Sequence, residues 1–338
     1  MKINARRKLI KRKIPKDPTL TSGIFRQWQA DIRRRFGDLK KTIYNHVVKQ
    51  DIFGLKPLNS GILVLQENRI VLQPRHFVFS TDQERLEGFL DWLQGLIDGG
   101  ILEVIEREGA RVIGHSGWQN KYLRACYEKG VTDVSQTIAS LYGLPFDPVG
   151  GIVSDQVGLA YHLRGPVHAP RVASLYSRSF HELKGITDAM SQQIGREIAQ
   201  GLALGHNPEK IARNINDRVD KIGITRARLL ARTETSYARN MGAVHHAELQ
   251  EKYLDEEILF QWLTAGDDRV RKEHQKRSSR VFTKEEVAEL VGEVNCRCSI
   301  MPYLDSVQGP IDPETRLPLD EGEWTAATLE EIQVEVES

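Results

Sequence analysis

Apolar residues between positions 22 and 54 recur every three or four places: Ile24, Trp28, Ile32, Phe36, Leu39, Ile43 and Val47. That spacing predicts one amphipathic helix with arginines on its outer faces. "GILVL" and "RIVLQ" read as two short strands. Thr81 and Glu84 form a capping-box pattern ahead of Leu86, Phe89, Leu90, Leu93 and Ile97, with Gly99 and Gly100 as the expected stop. Two further short helices are expected at 117–130 and 134–143, with Cys126 a buried small hydrophobe beside Leu123 and Tyr127. Pro145, Pro148, Pro166 and Pro170 then mark a loop-rich connection over 144–172.

The pattern changes after that loop. Phe180, Leu183, Ile186, Met190, Ile194, Ile198 and Leu202 form one long helical stripe that stops at Gly205. "NPEKIARNINDRV" reads as a short helix, with Asn207 as cap and Pro208 at its first position. "ITRARLLARTETSYARNMGAVHHAELQEKYL" is a second long helix, on which His245 and His246 read as surface or interface residues. Beyond it, 257–264 has strand character and "AGDD" turns the chain. "DRVRKEHQK" starts a helix that Asp267 is placed to cap. Thr283 and Glu286 form a capping box for a helix over 283–292, and "CRCSIMPYL" returns as a strand. The predicted class is α+β and predominantly helical, with N-terminal and central helical regions and a small C-terminal mixed α/β unit. A basic arm and an acidic tail flank it. The expected segments are 1–55 (arm and amphipathic helix), 56–175 (mainly helical), 176–256 (long helices), 257–304 (small α/β motif) and 305–338 (tail).

Length and composition add bounds. A chain of 338 residues, 40% hydrophobic and 28% charged, is long enough for two or three units with real cores. No apolar run approaches the roughly 20 residues that span a bilayer, so no membrane partner is expected. "MKINARRKLIKRKIPKDP" lacks an apolar segment behind its basic start and does not read as a secretory signal. Residues 1–22 read as an unpacked polar arm. Three cysteines make no disulfide framework and fit synthesis in a reducing cytoplasm. The net charge of +1 conceals a polarity: residues 1–50 hold fifteen Lys/Arg against three Asp, and residues 301–338 hold ten Asp/Glu against Arg316. Arg6, Arg7, Lys8, Lys11, Arg12, Lys13, Arg33, Arg34 and Arg35 are therefore candidate contacts for double-stranded DNA or an acidic protein surface.

Candidate chemistry concentrates in two places. Glu234 falls on the apolar stripe of its helix with Ala227, Leu230, Ala231, Ala238 and Met241. An inward carboxylate needs a partner, and Arg269 and Arg271 are the candidate cations. A structural ion pair and a general acid/base role are the two readings. Asp267, Arg271 and His274 share one face if the segment is helical, which predicts an Asp267–Arg271 salt bridge. His274, Cys296 and Cys298 are ligand types that suit zinc, with Asp268, Glu293 or water to complete the set. Cys-x-Cys is nevertheless a weak spacing for that metal, and plain packing of the two thiols is the favoured reading; a disulfide fits the spacing but is disfavoured by a reducing compartment. A metal-dependent nuclease or transferase using Glu234, Asp268, His274 and the cysteines stands as one alternative function. A DNA-binding protein without sequence preference is another, because no recognition-helix motif is present.

Three blocks in order, "ARTETSYARNMGAVHHAEL", "FQWLTAGDDRVRKEHQ" and "VNCRCSIMPY", resemble the phage head-morphogenesis family, the minor head proteins of the Mu protein F type. The matching motif positions are Arg232 and Glu234, then Trp262, Asp267, Asp268, Arg269, Arg271 and His274, and finally Asn295, Cys296, Arg297 and Cys298. The resemblance covers about residues 176–304. It implies a minor capsid protein built into the virion head near the portal vertex and needed for procapsid assembly. It implies the portal protein as partner, with major capsid or scaffold protein beside it, and contact with packaged or ejected DNA. It implies no catalysis and no cofactor. Some relatives have two cysteines where this chain has Arg271 and His274, and a His-Pro where it has Glu293–Val294. The loss of those soft ligands favours a salt-bridged corner over a metal here.

Overall fold

The structure, a computed structural model, describes residues 17–55, 63–66, 69–72, 82–107, 110–113, 117–144, 146–147, 151–152 and 168–319. The candidate contacts from Arg6 to Lys13, and the Thr81 half of the first capping box, lie outside these residues. In chain order the elements are α1 (Ser22–Tyr44), β1 (Leu63–Gln66), β2 (Arg69–Leu72), α2 (Asp82–Ile97), β3 (Val104–Arg107), β4 (Ala110–Ile113) and α3 (Asn120–Leu141). There follow β5 (Phe146–Asp147), β6 (Gly151–Ile152), α4 (His168–Ala203), α5 (Pro208–Arg218) and α6 (Thr225–Leu254). The C-terminal part holds β7 (Leu259–Leu263), α7 (Lys272–Arg277), β8 (Val281–Phe282), α8 (Lys284–Leu290), β9 (Ser299–Tyr303) and α9 (Asp305–Gln308). The class is predominantly helical α+β, as the periodicity predicts. β1–β2, β3–β4 and β5–β6 are antiparallel hairpins, and β8-β7-β9 is a three-stranded antiparallel sheet.

Two compact units emerge, each drawing on separated stretches of chain. One takes residues 27–120 and 177–231. Its core is the α1 stripe (Trp28, Ile32, Phe36, Leu39, Ile43) with Phe89, Leu93, Ile97, Met190, Ile194, Ile198, Ile211 and Ile215, all buried. Several expected helix ends prove to be continuations. α1 runs on through a π-helical turn at Asn45–Lys49, and α2 through another at Asp98–Leu102. Gly99 and Gly100 therefore do not stop α2. It ends at Glu103, which takes the left-handed conformation (φ 53°), and whose carboxylate accepts from Arg35 at 2.6 Å and the Trp118 amide at 3.2 Å. α5 begins as predicted, with Asn207 accepting from the Lys210 amide and Pro208 at the first position. It then passes through a π-helical stretch at Val219–Ile224 into α6. Gly223 sits in that stretch because a Cβ there would lie 2.6 Å from the Phe36 ring and 2.8 Å from Met190 Sδ.

The other unit takes residues 17–26, 121–176 and 232–319 of the described chain. The arm expected to be unpacked to residue 22 is packed from Asp17 on. Asp17 accepts from the Ser22 amide at 2.8 Å, and Thr19 and Thr21 are buried. The core holds Val134 and Ile138 of α3, Ala243, Val244 and Ala247 of α6, Phe260 and Trp262 of β7, Val287 of α8 and Ile300 of β9. α3 is one helix where two were expected, because Gly130 is a crossing point and not a stop. A Cβ on Gly130 would lie 1.9 Å from the Arg239 carbonyl oxygen, and one on Gly242 would lie 2.3 Å from that of Tyr127. Each helix thus lets the other's backbone in at a glycine. α4 begins at His168, ahead of the expected loop end, and Pro170 fits its first turn, where amides have no intrahelical partner.

That close approach buries polar groups. His246, for which a surface or interface place was expected, is buried, and His245 is half-buried: Tyr127 Oη lies 2.8 Å from His168 Nδ1 and 3.1 Å from His245 Nδ1, and Ser135 Oγ lies 2.6 Å from His246 Nε2. Burial, the nearby Arg171 guanidinium and His168 push the His245 imidazole down to about 3. Cys126 is buried, as expected, and burial raises its thiol.

Gly130→Ala should destabilise the protein by about 3 kcal/mol, since only backbone could move to admit the methyl. Gly37→Ala, in α1 with nothing within 4 Å of a Cβ, should instead be neutral or stabilising by up to about 1 kcal/mol; denaturant titration compares the two. The depressed His245 imidazole means that the unfolded chain binds the extra proton between about pH 6.5 and 3, so stability falls as pH drops through that window. His245→Gln should flatten this part of the stability–pH curve by about 2–4 kcal/mol, read from urea midpoints at pH 7 and pH 4.

Candidate functional site

The C-terminal corner is built on one face of α6. Four polar residues there sit at helical spacing and reach the segment that leads into β9. Thr233 Oγ1 accepts from the Asn295 amide at 2.9 Å, and Ser236 Oγ donates to the Cys296 carbonyl at 3.0 Å. Asn240 Nδ2 donates to the Cys298 carbonyl at 3.2 Å, and Arg239 Nη1 to the Ile300 carbonyl at 2.7 Å. β9 is an edge strand, so at Ile300 Arg239 takes a carbonyl that a further strand would otherwise pair, while the other three bonds tie down the loop before the strand. Arg239 also pairs with Asp133 of α3 at 2.9 Å, with its side chain only 6% exposed. A mid-helix run of Thr, Ser, Arg and Asn was the signal in the sequence. None of these residues carries catalytic chemistry, so only the fold shows what the run is for.

β7 alternates as predicted, with Phe260 and Trp262 turned inward. After it, residues 264–271 form an irregular turn. α7 starts only at Lys272 and has no side-chain cap. Asp267 is therefore not its cap and does not share a helical face with Arg271 and His274. Its carboxylate takes a two-pronged pair from Arg297, at 2.7 and 2.5 Å, and a longer contact from Arg269 at 3.3 Å. Those hydrogen bonds from Arg297 hold Asp267 well below the usual carboxylate range. Arg271 pairs with Glu293 at 2.7 Å and donates to the Val294 carbonyl, so the expected Asp267–Arg271 bridge is absent. The sequence could not see this because both partners come from beyond residue 290. Neither Arg269 nor Arg271 pairs with Glu234, which is buried on α6 as its place on the stripe predicts.

Glu293 is the hub of the corner. It accepts from Arg271, from His274 Nε2 at 2.9 Å and from Arg277 at 3.2 Å. Partial burial raises its carboxyl, but the hydrogen bonds from His274 and Arg277 outweigh that and hold it low. His274 is 2% exposed. Its other ring nitrogen, Nδ1, faces both thiols, at 3.3 Å from Cys298 Sγ and 3.5 Å from Cys296 Sγ. The Cys298 amide donates to Cys296 Sγ at 3.3 Å. Hydrogen bonding with Cys298 lowers the Cys296 thiol to about 6 against the opposing effect of burial, and the same pairing raises Cys298. A cleft of about 80 Å³ opens beside the thiols, lined among others by Ala265, Arg269, Asn295 and Arg297. Asn295 turns the chain in the left-handed conformation (φ 60°).

The structure thus gathers Trp262, Asp267, Arg269, Arg271, His274, Asn295, Cys296, Arg297 and Cys298 into one corner. Arg232 lies apart, with its guanidinium 3.6 Å over the Phe25 ring. Asp268 is exposed. Among the described residues the group close enough to share one ion is His274, Cys296 and Cys298, and neither Glu234 nor Asp268 joins it. Arg33, Arg34 and Arg35 belong to the other unit. Arg33 and Arg34 are exposed, whereas Arg35 is half-buried, bound to Glu103 and the Gly100 carbonyl and stacked 4.6 Å over Trp118. Arg35 is therefore a structural residue, and not a free cation.

A small α/β corner clasped to a long helix by side-chain-to-backbone hydrogen bonds is the class of domain this geometry defines. Residues 192–301 match the family described as Phage Mu protein F like protein, a stretch that contains the first two motif blocks and the third as far as Met301. An uncharacterized protein of Methanocaldococcus jannaschii is 27% identical over 122 residues, which are 36% of this chain and 18% of that protein. The chain therefore spans about a fifth of that relative's length. No solved structure matches. No helix among the described residues is long and apolar enough to cross a membrane.

Arg239→Ala should cost about 3 kcal/mol, because it strands the Ile300 carbonyl and weakens the hold on Asp133 in a nearly dry site. Equilibrium denaturation measures the loss, and Arg239→Lys should recover only part of it, since one ammonium cannot span both acceptors.

Proposed function

We propose that this protein is a minor head protein of a tailed bacteriophage, built into the procapsid close to the portal vertex. The observation that carries the reading is the family match over 192–301, centred on motif blocks that fold into one corner. The chemistry there suits attachment. Its charged groups are matched in pairs, as in Asp267–Arg297 and Glu293 with Arg271 and Arg277, which stiffens a surface that a partner can dock against. The portal protein is the proposed partner, with major capsid or scaffold protein next to it, and the virion head is the proposed location. The basic residues from Arg6 to Lys13, together with the exposed Arg33 and Arg34, would meet packaged DNA through its phosphates and without base readout. An enzymatic reading has less support, since Glu234 and Asp268 do not converge with His274 and the thiols.

Capture of the full chain on the portal protein of its own phage tests the docking. Removal of residues 1–14 leaves the Asp17–Ser22 hydrogen bond in place, and it should weaken DNA binding and flatten its salt dependence while portal capture persists. Absence of the protein from purified procapsids, with no portal capture at low salt, would overturn the reading.

A further inference from the structure

The resemblance argues against a metal in this chain, because soft ligands found in some relatives are missing. The geometry argues the other way. His274 Nδ1, Cys296 Sγ and Cys298 Sγ all lie within 4.8 Å of one another. Zinc bound to one imidazole and two thiolates at its usual bond lengths places nitrogen and sulfur about 3.6 Å apart in tetrahedral geometry. The two separations here are 3.3 and 3.5 Å. The imidazole is also held in the right form. Glu293 accepts the Nε2 proton at 2.9 Å, which leaves Nδ1 with a lone pair directed at the sulfurs. One cation would take all three of these groups as ligands together. The ligand-bearing loop is positioned before any ion arrives, since Ser236 and Asn240 of α6 hold the carbonyls of Cys296 and Cys298.

We propose that His274, Cys296 and Cys298 bind one zinc ion, with Glu293 as the positioning residue behind the imidazole and water in the fourth position. Two thiolates and a neutral imidazole form a soft donor set that selects zinc over magnesium or calcium. Two negative thiolates also cancel the ion's charge, so a largely buried site carries no net charge. The cleft of about 80 Å³ beside the thiols admits the fourth ligand from solvent. Zinc would then cross-link α7 to the loop before β9, closing a corner whose own core is small. This inference stands apart from the portal reading: a metal-free protein could still dock, and a zinc protein could still fail to.

The test uses the full chain, purified under reducing conditions without chelator. Elemental analysis should find about one zinc per chain, falling to near zero in the Cys296→Ser/Cys298→Ser variant. Replacing zinc with cobalt in the wild-type protein should give thiolate-to-cobalt charge-transfer and tetrahedral d–d absorption bands. This readout needs no variant to fold. Glu293→Gln should keep those bands yet bind zinc about 10–100-fold more weakly. Wild-type protein that takes up neither zinc nor cobalt after reconstitution would overturn the site, as would full zinc content in the double-serine variant. Unchanged zinc affinity in Glu293→Gln would remove Glu293 from its positioning role.

Discussion

The approach of α3 and α6 at Gly130 and Gly242 sets the geometry on which the C-terminal unit depends. With no Cβ on either side, one helix's carbonyl sits where the other's side chain would be. At that separation Asp133 reaches Arg239, and Tyr127 and Ser135 reach His245 and His246. A methyl group at the crossing would push all of these pairs apart together. Glycine in a helix interior costs roughly 1 kcal/mol each in propensity. Here the cost is offset by packing and by buried hydrogen bonds that no wider crossing could make.

From that fixed helix the corner is assembled outward. α6 presents Thr233, Ser236, Arg239 and Asn240 to a stretch of chain that would otherwise carry unpaired backbone groups. The helix therefore holds the loop before β9 and the first outward carbonyl of that strand, at Ile300. It does so with side chains, so the arrangement is specific to this sequence, where a backbone ladder would not be. The outer layer of ion pairs adds less. Asp267, Glu293 and their arginines are partly exposed, and pairs of that kind contribute little to stability. Their role is to orient the loop, which is what a docking surface or a metal ligand requires.

The sequence determined a good deal. Periodicity placed α1, the long α4 and α6 stripes and the β7 alternation. Local capping chemistry placed the start of α5 at Asn207–Pro208 and of α8 at Thr283, because these signals act within four residues. The inward position of Glu234 was readable from its helical stripe, and the resemblance to a known family from the order of the three blocks. Tertiary structure decided what lies between segments far apart in the chain. Gly130 looks like a helix stop until Arg239 is seen against it, and Asp267 looks like a cap until Arg297 takes both its oxygens. His245 and His246 read as surface or interface residues until Tyr127 and Ser135 of α3 are seen against them. His274 meets the two cysteines only because the loop before β9 is tied to α6. A sequence reports what each residue prefers among its near neighbours, whereas packing distance, ion-pair choice and ligand convergence depend on which surfaces the folded chain brings together.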